Sequence, residues 1–146
     1  MSGIVCAVRG GPDSQPTIAR SIALAAETGQ TIYFLYVVNL DFLSHTATSR
    51  VHVVAKEMHQ MGEFILLTAQ SQAMDQGVQA KAVVRQGQVR EEIINLCHDI
   101  AAEYVILGRP RGEAEIDVFT HERLDQFTQD IERESGAKAV LADEIS

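Results

Sequence analysis

Basic residues are scarce in this chain. Twelve lysines and arginines stand against twenty aspartates and glutamates, so the formal charge is -8 and the isoelectric point is near 5.0. A field of that sign repels the nucleic-acid backbone and anionic membrane alike, and neither is expected as a partner. Cysteine is scarcer still. Cys6 lies in an apolar strand pattern and Cys97 on an apolar helix face, so both read as small buried hydrophobes, which excludes a disulfide framework and suits a reducing compartment. Long hydrophobic runs are missing too: the longest, residues 32–38, falls well short of the ~20 residues that span a bilayer. The amino terminus, Met-Ser-Gly-Ile-Val, enters a strand without the basic and apolar regions of a secretory signal, and the cytoplasm is the expected location. With only three prolines, no linker, no low-complexity tract and no solenoid period, residues 1–146 read as a single domain, long enough to bury a core without disulfides or a structural metal.

What is present is an alternation of strands and helices. Residues 4–8 form a buried apolar run, and a Gly-Gly-Pro-Asp-Ser loop follows. A first helix then starts with Asp13 or Ser14 as N-cap and Pro16 in its first turn, turns Ile18, Ile22, Ala25 and Ala26 inward, and stops at Gly29. Residues 31–38 are β-branched and aromatic, the composition of a central strand. The less regular segment from Asn39 to Ser49 reads as a flap. In the second and longest helix, Val54, Met58, Met61, Ile65 and Ala69 make one apolar stripe, with His52, Lys56, His59 and Glu63 on other faces.

Residues 78–85 alternate like a strand with one less covered face, at a sheet edge. Val89, Ile93, Leu96, Cys97 and Ile100 form the buried stripe of a third helix, and the apolar run 104–107 is the next strand. A fourth helix turns Leu124, Phe127 and Ile131 inward and stops at Gly136, and Lys138 to Ala142 is the last strand. Strand and helix repeated four times with a closing strand call for an α/β fold, an open five-stranded parallel sheet with helices on both faces.

Ligand chemistry is to be sought where residues 104–107 end in Gly108-Arg109-Pro110-Arg111-Gly112, because open α/β sheets bind ligands outside the carboxyl ends of their strands. Arg9, Arg85, Arg109 and Arg111, four of the nine arginines, are all placed at or just past such ends. Arginine suits bidentate anion binding, and a basic rim focuses a small anion even on an acidic protein. The competing reading pairs each arginine with a local carboxylate such as Asp13, Glu113 or Glu115.

No metal site is legible, since His52 and His59 are seven residues apart, His45 is in a loop, and no pair has the i, i+4 spacing of a helical metal face. The neighbours His98-Asp99 and His121-Glu122 read as solvated surface groups. No catalytic triad is legible, and no catalytic residue is assigned.

Taken in order, several segments resemble the universal stress protein family over nearly the whole chain. They are the opening strand Ile-Val-Cys-Ala-Val, the strand end Leu35-Tyr-Val-Val38, Val84-Arg-Gln-Gly87 before Glu91-Glu92-Ile93-Ile94, Ala102-Glu-Tyr-Val-Ile-Leu-Gly108, and Gly136-Ala-Lys-Ala-Val-Leu141. The resemblance implies the sheet order 3-2-1-4-5 of an adenine-nucleotide-hydrolase-like three-layer sandwich and homodimers. In one branch of the family it also implies ATP bound between the first and fourth strands.

The residues of that branch are not all here. It has an acidic residue just after the first strand, where this chain has Arg9. Its loop of Gly, two residues, Gly, nine residues, Gly and Ser or Thr is also altered: three residues separate Gly108 from Gly112, and nine more separate Gly112 from Glu122 and Arg123. A carboxylate near a triphosphate adds like charge where glycine and a hydroxyl would admit phosphate. ATP and AMP are therefore disfavoured as cofactors, and the ligand is left open.

The expected function is a stress-response or signalling module, not an efficient enzyme, binding a small anion or nucleotide at the carboxyl ends of the first and fourth strands. Arg9, Gly10, Val38, Gly108, Arg109, Arg111 and Gly112 are its ligand-binding candidates. The alternative is a dimeric interaction module without a small ligand, and a weak ATP hydrolase ranks last. A homodimer is expected through the edge strand Lys138 to Ala142, whose unpaired backbone groups need cover.

Overall fold

Five parallel strands lie in the order β3-β2-β1-β4-β5. They are β1 (Ile4–Ala7), β2 (Ile32–Val38), β3 (Ala80–Gln86), β4 (Tyr104–Leu107) and β5 (Lys138–Leu141), joined by α1 (Gln15–Thr28), α2 (Thr48–Asp75), α3 (Val89–Ile100) and α4 (Val118–Ser135). This computed structural model describes residues 3–9, 14–40, 43, 47–108 and 118–142, without the side chains of 118–124. The α/β class and the strand order are those expected.

Alternation along the strands builds two cores. Ile4, Cys6, Phe34, Tyr36 and Ile106 face one way and pack with Ile18, Ile22, Leu66 and Ala69 of α1 and α2. Val5, Leu35, Val105 and Leu107 face the other way, against Ile93, Leu96 and Cys97 of α3 and Ile131 of α4. The central strands, covered on both faces, need a nearly continuous apolar sequence, which is what β1, β2 and β4 have. At one edge, β3 is only partly buried, and Gln70 of α2 donates to its Ala80 carbonyl at 2.8 Å.

The helix ends depart from expectation in chemistry more than in place. Ser14 occupies the N-cap of α1 but makes no capping hydrogen bond with its side chain, while Gly29 ends the helix at φ 75° with its N–H on the Ala25 carbonyl. α3 stops without a glycine: Ala101 takes φ 51°.

Three inward assignments are corrected. Ala26 is exposed and Leu24 is buried instead. Met61 is exposed, because α2 meets the sheet along Met58, Gly62, Leu66, Ala69 and Ala73, and Met61 lies about a quarter turn from that line. Val89 is exposed because it opens α3 before the helix lies over the sheet. Of the flap, Thr48 and Ser49 belong to α2, and 41–42 and 44–46 lie outside the described residues.

Gly62 explains how α2 comes so near the sheet. A Cβ there would fall 2.9 Å from Tyr36 Cε2 and nearer still to Cδ2, so β2 and α2 touch through the missing side chain.

Candidate functional site

The sheet order reverses at β1, which pairs with β2 on one side and β4 on the other. The helices after these two strands pack on opposite faces of the sheet, the arrangement in which open α/β sheets bind ligands at the carboxyl ends of the strands, here β1 and β4. Arg9 stands two residues beyond β1, exposed and permanently cationic. Gly108 is the residue after β4.

These two converge with α1. A Cβ on Gly108 would fall 2.6 Å from Thr17 Oγ1 and 4.0 Å from Arg9 Nη2. Gly108 is thus a place of close approach, where the end of β4 passes against the first turns of α1 with a guanidinium beside it. Ser14, Thr17 and Ser21, at i, i+3 and i+7, turn hydroxyls to the buried face of α1. Ser21 Oγ donates to the Ile18 carbonyl at 2.7 Å. Cys6 Sγ lies 3.7 Å from the Thr17 carbonyl, and burial pushes its thiol up to about 12 against the lowering effect of Ser21, which rules it out as a thiolate nucleophile at neutral pH.

The other candidates divide. Val38 is fully buried in the core beside α1 and α2, and its carbonyl accepts the Gly87 N–H at 3.0 Å. Gly10, Arg109, Arg111 and Gly112 lie outside the described residues, as do Asp13, Glu113 and Glu115. Arg85 does not join Arg9: its Nη2 bonds Asp99 Oδ2 at 2.8 Å and its Nη1 lies 3.9 Å from Glu92 Oε1. A guanidinium drawn along α3 by two carboxylates holds strand to helix instead of facing the crevice. Its acidic partners are on α3, whereas sequence reasoning had placed them in the loops.

Positions 122 and 123 fall within α4, in helix instead of in a loop. His98 Nε2 lies 2.7 Å from the Glu134 carbonyl, so this surface histidine ties α3 to the end of α4. Among the described residues no group of three or more metal-ligating side chains gathers, and no helix is long and apolar enough to cross a membrane. A cleft of about 270 Å³ at the opposite end of the sheet is lined by Gln30, Thr31, Gln76 and Gln79 and by no ionisable residue.

Sequence reasoning missed the hydroxyls of α1. Their signal is present in the sequence, since Ser14, Thr17 and Ser21 share the helical face of Ile18, but a search for apolar periodicity passes over hydroxyls.

A model of the Universal stress protein family matches residues 1–127. No curated protein sequence matches the chain. Among solved structures, the universal stress protein UspA from Lactobacillus plantarum superposes with a TM-score of 0.78 at 11% identity, covering 96% of each chain. A universal stress protein in complex with cAMP gives 0.70 at 14% identity, covering 96% of this chain and 95% of that one. The universal stress protein from Archaeoglobus fulgidus in complex with dAMP gives 0.63 at 13%, covering 97% of each. At such identities the likeness is one of fold.

Proposed function

The chain belongs to the universal stress protein family, and from that premise we propose that it is a stress-response or signalling module that binds a small anion or nucleotide in the crevice between β1 and β4. The observation that carries this reading is the convergence of Arg9, Gly108 and Thr17 at the strand ends, where a cation, a backbone without a side chain and a hydroxyl lie within a few ångströms. The structures of relatives with cAMP and dAMP support a nucleotide with one phosphate. Triphosphate is disfavoured, because Arg9 stands where the ATP branch has an acid, and positions 122 and 123 are helical.

Calorimetry with phosphate, AMP, cAMP and magnesium ATP tests the proposal. Binding of a monophosphate or phosphate that Arg9→Ala weakens at least tenfold is the expected result. Gly108→Ala should weaken it as well, since the new methyl displaces Thr17. A ligand at 100 times its dissociation constant stabilises by ~2.7 kcal/mol, so a thermal shift reports the same event. Micromolar magnesium ATP binding would overturn the disfavouring of triphosphate.

The second reading, an interaction module with no small ligand, draws on Arg85, whose charge is already met by Asp99 and Glu92. In that case Arg9→Ala changes no binding isotherm.

A further inference from the structure

α2 is apolar on two opposite sides. Its inner line, through Gly62, Leu66, Ala69 and Ala73, packs on the sheet. On the far side, Val53 (58% exposed), Met61 (50%), Phe64 (70%), Leu67 (61%) and Met74 (64%) stand in solvent, five of the six large exposed hydrophobics among the described residues. At 100° per residue they fall within about 140° of arc centred opposite the inner line, an arc that they share with the exposed Glu57, Gln60, Thr68 and Ser71. Single exposed apolar residues are ordinary, but a stripe roughly 30 Å long, from Val53 to Met74 at 1.5 Å per residue, marks a contact surface.

We propose that this stripe is the contact between two copies of the chain, packed with their α2 helices antiparallel about a two-fold axis at Phe64. The placement of residues selects this occupant. A two-fold contact requires that when residue i meets residue j of the partner, j also meets i, so the apolar positions must be symmetric about the axis. In spacing along the helix they are: Met61 and Leu67 lie three residues either side of Phe64, on opposite flanks of it, and Val53 and Met74 eleven and ten, on one flank.

The charges bordering the stripe obey the same symmetry. Arg50 and Asp75 lie on the same flank, both exposed, with their midpoint within two residues of Phe64. Antiparallel packing therefore brings each Arg50 beside Asp75 of the other copy, whereas parallel packing sets arginine against arginine and aspartate against aspartate. The amino end of each α2 dipole then also lies beside the carboxyl end of its mate. The two Glu63 side chains near the axis share the opposite flank, where solvent screens them. An anionic membrane is a poorer occupant for a protein of charge -8.

Because β5 lies at the other end of the sheet from α2, this contact is separate from any pairing of β5 edges, and the experiment must read α2 alone. Sedimentation equilibrium should show an association step in the wild type that Phe64→Glu weakens at least tenfold, with the thermal unfolding of the monomer little changed. Asp75→Lys should weaken the same step, and adding Arg50→Glu should restore it. Orientation is read by cross-linking: a mixture of Glu57→Cys and Ser71→Cys chains should form mixed disulfides in preference to either like pair. The native Cys6 and Cys97 are buried and do not compete. Identical association in wild type and Phe64→Glu overturns the proposal, as does preferential Glu57→Cys self-pairing. So does a wild type without this step at ~100 µM whose Phe64 instead mediates co-sedimentation with phosphatidylcholine vesicles.

Discussion

The Glu132 carboxylate on α4 accepts the backbone N–H of Ala139 on β5 at 2.9 Å. β5 is an end strand, and Lys138 turns its N–H inward to the Glu103 carbonyl, so the next N–H along, that of Ala139, points outward from the sheet. α4 therefore covers part of an edge that a lone strand would leave open. Glu132→Ala should speed amide exchange of Ala139 at least tenfold while leaving Lys138 little changed. A second copy pairing along β5 must first displace Glu132, so a β5-mediated dimer predicts tighter association in this variant. Equal Ala139 protection in a monomeric Glu132→Ala protein would mean that something else shields this edge.

Gly62→Ala should destabilise the protein although alanine is the better helix former. The propensity gain is about 1 kcal/mol, whereas forcing a methyl into the Tyr36 ring costs about 1–3 kcal/mol in a packed core. Urea unfolding is expected to show a net loss. Removing the ring in Tyr36→Ala should turn the same substitution neutral or favourable, which a double-mutant cycle would read directly.

Ala101→Gly should act in the opposite direction. Alanine at φ 51° carries about 1–2 kcal/mol of left-handed strain, and glycine there loses only ~0.5–1 kcal/mol in unfolded-chain entropy. A rise in the urea midpoint with unchanged slope is the expected outcome. A fall would mean that the Ala101 methyl makes contacts worth more than the strain.

Both limbs of the stability profile against pH have identifiable groups. Burial raises the Cys6 thiol to about 12 and the Cys97 thiol to about 11, against the usual 9.0. Above pH ~9 the unfolded chain ionises first, so this stability is complete below that pH and is lost between about 9 and 12. Cys6→Ala should flatten the alkaline fall, and native protein at pH 8 should react with a thiol reagent only at its unfolding rate.

On the acid side, the amide of Gln126 and the guanidinium groups of Arg133 and Arg90 hold the Asp130 carboxyl below its ordinary value, against the effect of burial. Its contribution is present above the unfolded pKa and is lost as the pH falls through the lower, folded one. Melting temperatures of Asp130→Asn should lie below those of the wild type at pH 7 and converge with them in acid.

The fold was legible because its signals are local. Apolar runs of four to seven residues alternate with helical periodicity, Gly29 and Gly136 stand where α1 and α4 end, and the half-polar pattern of residues 78–85 belongs to the strand that lies at the edge. The family segments ordered the strands. The site was less legible: Arg9, Arg85 and Gly108 all follow from strand positions, yet nothing local distinguishes an arginine beside the crevice from one drawn along α3 by Glu92 and Asp99.

What the amino-acid order determined by itself is therefore the set of elements, most of the faces that they bury, and the acidic net charge. Tertiary structure alone decided the contacts between residues far apart in the chain. It set Gly108 against Thr17 and Gly62 against Tyr36, gave Ala139 its partner on α4, and left Phe64, Leu67 and Met74 of α2 in solvent. The physical reason is that periodicity reports which residues turn to the same side, while the neighbour found there depends on how helices of different length cross a twisted sheet.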